Sequence, residues 1–108
     1  LSRALRAMHD EPARHWRIAQ LAATAGMSRT RFAAAFHDHV RLAPGAYLTE
    51  MRLRIAQDLL TRGKALKIVA SEVGYDSPNA LSRAFAARLG QSPRHWLRER
   101  AQTQRAVT

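Results

Sequence analysis

The chain contains no cysteine, so a disulfide framework and a thiolate metal site are both excluded, and the redox compartment is left open. Acid is scarce: 8 Asp plus Glu stand against 18 Lys plus Arg, a formal charge of +10 with His neutral. Apart from the adjacent Asp10 and Glu11 the few carboxylates are scattered singly, no nucleophile stands beside a base, and no loop is built to cradle a phosphate. An enzyme is therefore not expected, and no cofactor is implied. Lysine is nearly missing as well, only Lys64 and Lys67 occurring; arginine, whose planar fork suits phosphate and guanine, carries the rest of the charge. No apolar run approaches the roughly 20 residues of a membrane span. The opening LSRALRAMHD is amphipathic and lacks the charged start and apolar core of a signal peptide. These absences favour a cytoplasmic chain, and the lack of an initiator Met favours a fragment of something longer.

What is present is positive charge on a small frame. The 108 residues suffice for one modest domain, or for two very small ones sharing an element. An excess of this size fits a partner of polyanions, with nucleic acid the first candidate and an anionic membrane surface the second.

Helical periodicity runs through most of the chain. Leu1, Ala4, Leu5 and Met8 follow i, i+3, i+4, i+7, predicting a packing helix that stops before Asp10. Ile18, Leu21, Ala22 and Ala25 predict a second, short helix closed by Gly26 in a left-handed cap. Ser28 is placed to cap a third helix whose inward positions are Phe32, Ala35, Phe36 and Val40. Pro44 opens a long helix that Gly63 ends. That helix carries two apolar stripes, Leu48, Met51, Ile55 and Leu59 on one face and Leu53, Ala56 and Leu60 on another. An ordinary surface helix needs one stripe for one core, so two stripes suggest a core on each side; a central helix of a one-core bundle is the alternative.

The second half repeats the first. Leu66, Val69, Ala70, Val73 and Gly74 reproduce Ile18, Leu21, Ala22, Ala25 and Gly26 at an offset of 48, from 66 − 18 and 74 − 26. One residue is then added in the turn. Leu81, Ala84, Phe85 and Leu89 reproduce Phe32, Ala35, Phe36 and Val40 at an offset of 49, from 81 − 32, and Ser92, Pro93, Trp96 and Leu97 continue over Ala43, Pro44, Tyr47 and Leu48. Two copies fall short of the three that stacking repeats usually need, so a duplicated helix pair is the better reading. Residues 101–108 show no periodicity and are expected to be a flexible tail.

Each copy has a small Ala in its first helix, Ala22 or Ala70, and a turn Gly four residues later, Gly26 or Gly74. Close crossing and a positive φ at the turn are the requirements of a helix-turn-helix, whose second helix enters a major groove. The run GYDSPNALSRAFAARLGQSPRHWL resembles the signature of the AraC/XylS family of bacterial transcription regulators, and GMSRTRFAAAFHDHVRLAPGAYL resembles its weaker first copy. The resemblance implies an all-α, homeodomain-like fold of about seven helices. It places a first helix-turn-helix subdomain over residues 1–43, a linker helix over 44–62 and a second subdomain over 63–100. It further implies double-stranded DNA as partner, RNA polymerase as a further candidate, nucleoid association when bound, and a sensing or dimerisation domain upstream.

By position, the first recognition helix presents Thr30 and His37 with the short Ala33 and Ala34, flanked by Arg29 and Arg31; the second presents Asn79, Ser82, Arg83 and Ala86. Asn pairs with adenine and Arg bidentately with guanine, and Arg83 matches the arginine of the family's SRAF motif. Ser28, Ser77, Arg17 and Lys67 are candidates for phosphates, because they stand at or near helix N-termini, which bind anions. A solvated charge is the plain alternative for each. His37 and His39 do not share a helix face, so no metal site is expected. Trp16, Tyr47, Tyr75 and Trp96 could stack on single-stranded bases, but their repeat positions favour packing. This chain departs from the family pattern at Arg41, where a glycine is usual, at Ala80 and Leu81, where an aromatic pair is usual, and at Ala34, which stands at Arg83's position in the first copy. The competing functional readings are a basic helical protein-interaction module and a nonspecific nucleic-acid binder.

Overall fold

The computed structural model describes residues 1–107 and contains seven helices: α1 Ser2–Asp10, α2 Ile18–Ala25, α3 Arg29–Val40, α4 Pro44–Thr61, α5 Leu66–Val73, α6 Pro78–Leu89 and α7 Pro93–Val107. No strand occurs among the described residues. Two units divide the chain within α4, one spanning Leu1–Arg52 and the other running from Leu53 onward.

In the first unit α1 packs on α2 and α2 on α3. Ala4, Met8, Leu21, Ala22, Ala25, Phe32, Phe36 and Met51 are its buried apolar side chains. Phe36 lies 5.6 Å from Phe32 and 5.6 Å, edge to face, from Tyr47, a geometry that adds to simple area burial. Ile18, the first residue of the predicted apolar series, is 41% exposed, because a side chain at the first turn of a helix has only one neighbouring turn to cover it.

Arg52 holds the loop between α1 and α2. Its Nε donates to the carbonyl of Pro12 at 2.7 Å, and its guanidinium also donates to the carbonyl of Arg14 at 3.0 Å. Trp16 closes the same loop by donating its indole N–H to the Glu11 carbonyl at 2.9 Å, with Arg14 over its ring at 4.7 Å. Charge-assisted bonds to backbone acceptors are worth about 1.5–3 kcal/mol. Arg52→Met, which keeps the stem and removes the donors, is expected to lower stability by that amount, read as a lower urea midpoint at unchanged slope.

Arg41 has φ 67 and is the only non-glycine residue with positive φ among the described residues. Its repeat partner is Gly90, with φ 79, as 90 − 49 = 41. The left-handed conformation costs an L-residue about 1–2 kcal/mol, and glycine returns roughly 0.5–1 kcal/mol of that in chain entropy. Arg41→Gly is expected to stabilise by about 0.5–1 kcal/mol, a rise in Tm of roughly 2–6 °C by thermal circular dichroism.

The second unit has its own core of Leu53, Ala56, Leu60, Val69, Ala70, Val73, Leu81 and Phe85. Ile55, Leu59, Leu66, Tyr75, Ala84, Leu89, Trp96 and Leu97 pack against it half-buried. Trp96 meets Phe85 edge to face at 5.6 Å, repeating the Tyr47–Phe36 pair 49 residues earlier. The four aromatic residues weighed as stacking platforms are thus engaged in loop or core contacts, Tyr75 included. The α4 stripes divide differently from expectation. Ile55 and Leu59, aligned in sequence with Met51, belong to the second core together with Leu53, Ala56 and Leu60. Division therefore follows position along the helix, the apolar residues from Leu53 to Leu60 all joining the core that α5–α7 complete.

Helix α7 continues to Val107, through the segment whose lack of periodicity predicts a flexible tail; Thr108 lies outside the described residues. No Gly or Pro follows Pro93, and Leu, Arg, Glu, Ala and Gln are good helix formers. Periodicity is needed to bury a face, not to propagate a helix. Ser92 Oγ accepts from the His95 amide at 3.2 Å at the start of α7, and Thr103 Oγ1 donates to the Glu99 carbonyl at 3.0 Å farther on.

Candidate nucleic-acid interface

The two hairpins are built from the same local hydrogen bonds. Gly26, φ 71, ends α2 with Met27 N–H donating to the Ala22 carbonyl at 2.9 Å; Gly74, φ 97, ends α5 with Tyr75 N–H donating to the Ala70 carbonyl at 2.8 Å. Both are left-handed caps in which the residue after the glycine reaches back to the small alanine of the hairpin. Only Met27 separates Gly26 from the next cap, whereas Tyr75 and Asp76 separate Gly74 from its own, which is the added residue of the second turn. Ser28 Oγ then accepts from the Arg31 amide at 3.2 Å, and Ser77 Oγ from the Ala80 amide at 3.0 Å. Each serine starts the second helix of its hairpin in register.

The register decides which side chains face outward. On α3, Phe32 and Phe36 are buried while Arg29, Thr30, Arg31, Ala33, Ala34 and His37 are exposed. On α6, Leu81 and Phe85 are buried, Asn79, Arg83 and Ala86 are exposed, and Ser82 is half-buried. The two candidate sets therefore lie on the outer faces of the two second helices, each within its own unit. Arg29, Arg31 and Arg83 form no ion pair among the described residues, so their guanidiniums remain available to an external acceptor. His37 Nδ1 stands 3.7 Å from Asp38 Oδ1, a loose contact at the surface. Helix α6 contains no acidic residue at all. Arg17 and Lys67 are exposed at the starts of α2 and α5, where the first-turn amides add partial positive charge. The Arg17 amide itself is satisfied by Gln20 Oε1 at 3.0 Å. No group of three or more His, Cys, Asp or Glu able to hold a metal ion occurs among the described residues, and no described helix is long and apolar enough to cross a membrane.

Comparison with known proteins gives this duplicated arrangement a family. A helix-turn-helix domain family model matches residues 21–99. The chain is 41% identical over 97 residues to the HTH-type transcriptional regulator AlkR of Acinetobacter baylyi, covering 89% of this chain and 32% of that protein. It is 45% identical over 91 residues to a Streptomyces lividans protein described as an AraC-like transcription regulator, covering 83% of this chain and 30% of that one. The chain belongs to the AraC/XylS family. Among solved structures, the DNA-binding domain of AdpA, crystallised in complex with a target DNA, superposes on this AraC-type chain with a TM-score of 0.83 at 31% identity, covering 94% of this chain and 93% of that one. The family is one of DNA-binding transcription regulators, not a class of enzymes. This AraC-type chain spans about a third of the length of the curated relatives it matches.

The departures from the family pattern leave the fold intact for local reasons. Arg41 takes up the glycine-like φ at the end of α3. Leu81, in place of an aromatic residue, is fully buried, and Ala80 supplies the amide that Ser77 caps. On the outer face of α3 the exposed Ala33 and Ala34 offer no hydrogen-bonding side chain.

Proposed function

We propose that this AraC-type chain is the sequence-reading portion of a bacterial transcription regulator, binding double-stranded DNA with α3 and α6 in adjacent major-groove segments. The observation that carries the proposal is the duplicated, serine-capped hairpin whose acid-free α6 holds Asn79 and Arg83 exposed on its outer face, Arg83 forming no ion pair among the described residues. In this reading α6 makes the discriminating contacts, with Asn79 suited to adenine, Arg83 to guanine and Ser82 to either. Helix α3 reads through Thr30, Arg29, Arg31 and His37, and more weakly. Arg17, Lys67 and the backbone around Ser28 and Ser77 fix the register on phosphates. An upstream sensing or dimerisation domain and contact with RNA polymerase belong to the whole regulator, which acts in the cytoplasm on the nucleoid.

Selection from random duplexes tests the reading: one enriched motif is expected, and binding without sequence preference would leave only a nonspecific nucleic-acid binder. Absence of any duplex binding would favour the protein-interaction module. Removing a phosphate contact has its own signature. Lys67→Ala is expected to weaken all duplexes alike and to flatten the slope of log affinity against log salt by about one unit.

A further inference from the structure

The second unit carries a groove of about 400 Å³ lined by Leu60, Leu66, Pro93, Arg94, Leu97 and Arg98. It is formed by the end of α4 and the starts of α5 and α7, and none of its residues lies on α6, the proposed reading helix. The floor is apolar. On the rim, Arg94 and Arg98 are one helical turn apart, both exposed, and neither forms an ion pair among the described residues. We infer that this groove is a docking site for an acidic amphipathic helix of a protein partner, engaged while α6 is on DNA.

Charge and shape single out this occupant. Residues four apart on a helix place their Cβ atoms about 5–6 Å from each other, so Arg94 and Arg98 match two carboxylates one turn apart on a facing helix. Each guanidinium would take its carboxylate as a charge-assisted, forked pair, and the apolar side chains flanking those carboxylates would fill the groove. A DNA phosphate meets the arginines but leaves the half-buried Leu66 and Leu97 without an apolar counterpart, Leu60 and Pro93 being already buried beneath them. A second copy of this chain brings a further +10 of charge against a rim that is already positive. A fatty carboxylate fills the groove with only one head group for two arginines.

The probe is a labelled helical peptide of about 14 residues, four turns, with one leucine face flanked by glutamates one turn apart. Three controls accompany it: a Glu-to-Gln peptide, a Leu-to-Ser peptide and sodium dodecanoate. Binding is read by fluorescence anisotropy and mapped on the 108-residue chain by amide chemical shifts. Expected are shifts centred on Leu66, Arg94 and Leu97 with α6 unmoved, and affinity at least about tenfold weaker for both control peptides. The same loss is expected for the Arg94→Gln/Arg98→Gln chain, checked for folding by circular dichroism, and for the single Arg98→Gln chain in smaller degree. The double variant is expected to keep the salt slope for duplex DNA. The inference is overturned by equal binding of either control peptide, by shifts that map to α6, by dodecanoate displacing the peptide at comparable concentration, or by no binding. A slope one to two units flatter for the double variant would reassign both arginines to phosphates. None of these outcomes bears on sequence selection by α6, which the duplex experiment measures separately.

Discussion

Arg83→Ala is expected to lower affinity for the selected duplex by roughly 5- to 150-fold, the 1–3 kcal/mol of a bidentate base contact, and to relax preference at one base pair only. The prediction rests on position and on chemistry together. Leu81 and Phe85 anchor α6 from below with no exposure, so the side chain between them in sequence is held outward on a rigid helix. Among the described residues its guanidinium has no ion-pair partner to give up on binding. Arg83→Lys separates base reading from phosphate contact. A lysine keeps the charge but not the planar fork. If Arg83 reads guanine, the lysine variant retains the salt slope and loses the preference. Should it restore both, Arg83 holds a phosphate and base reading passes to Asn79. Quantitative selection on the three chains, at one stated salt concentration, distinguishes these results.

Phe85→Ala is expected to cost about 3–5 kcal/mol, the largest effect of any single substitution considered for this chain. Phe85 is fully buried in the second core and supports Trp96 edge to face at 5.6 Å. Truncation removes the ring, leaves a cavity, and deprives Trp96 of the surface that orients the start of α7. Stability of about 0.05–0.15 kcal/mol per residue allows a unit of this size only a few kcal/mol in all. Loss of dispersed amide signals from α5 to α7 at 25 °C is therefore the expected outcome, together with loss of selective DNA binding. Phe36→Ala is the matched experiment in the first unit, since Phe36 stands against Tyr47 in the same geometry. Phe85→Leu, which refills part of the volume, is expected to recover most of the stability; a variant as unstable as alanine would mean that the aromatic pair itself, not the packing volume, holds the unit.

The sequence makes legible whatever depends on near neighbours along the chain. The two hairpins, the left-handed caps at Gly26 and Gly74, the serine caps at Ser28 and Ser77 and the extra residue of the second turn are all set by contacts within about five residues. The outward placement of Thr30, His37, Asn79 and Arg83 follows from the same periodicity once the inward phenylalanines are recognised. That Arg83 has no ion-pair partner among the described residues does not follow, because an ion pair can come from any acidic residue that the fold brings near.

The sequence by itself therefore determined the helix-turn-helix pairs and their likeness to the AraC/XylS pattern, because caps, turns and helical faces are short-range properties. Only the tertiary structure decided which residues of α4 serve which core, moving Ile55 and Leu59 to the second unit despite their alignment with Met51. It alone disclosed Arg52 as the clamp on carbonyls 38 and 40 residues away, and it extended α7 through a segment that shows no apolar face. These are decisions about which distant surfaces meet, and periodicity records that a face is to be buried without recording what buries it.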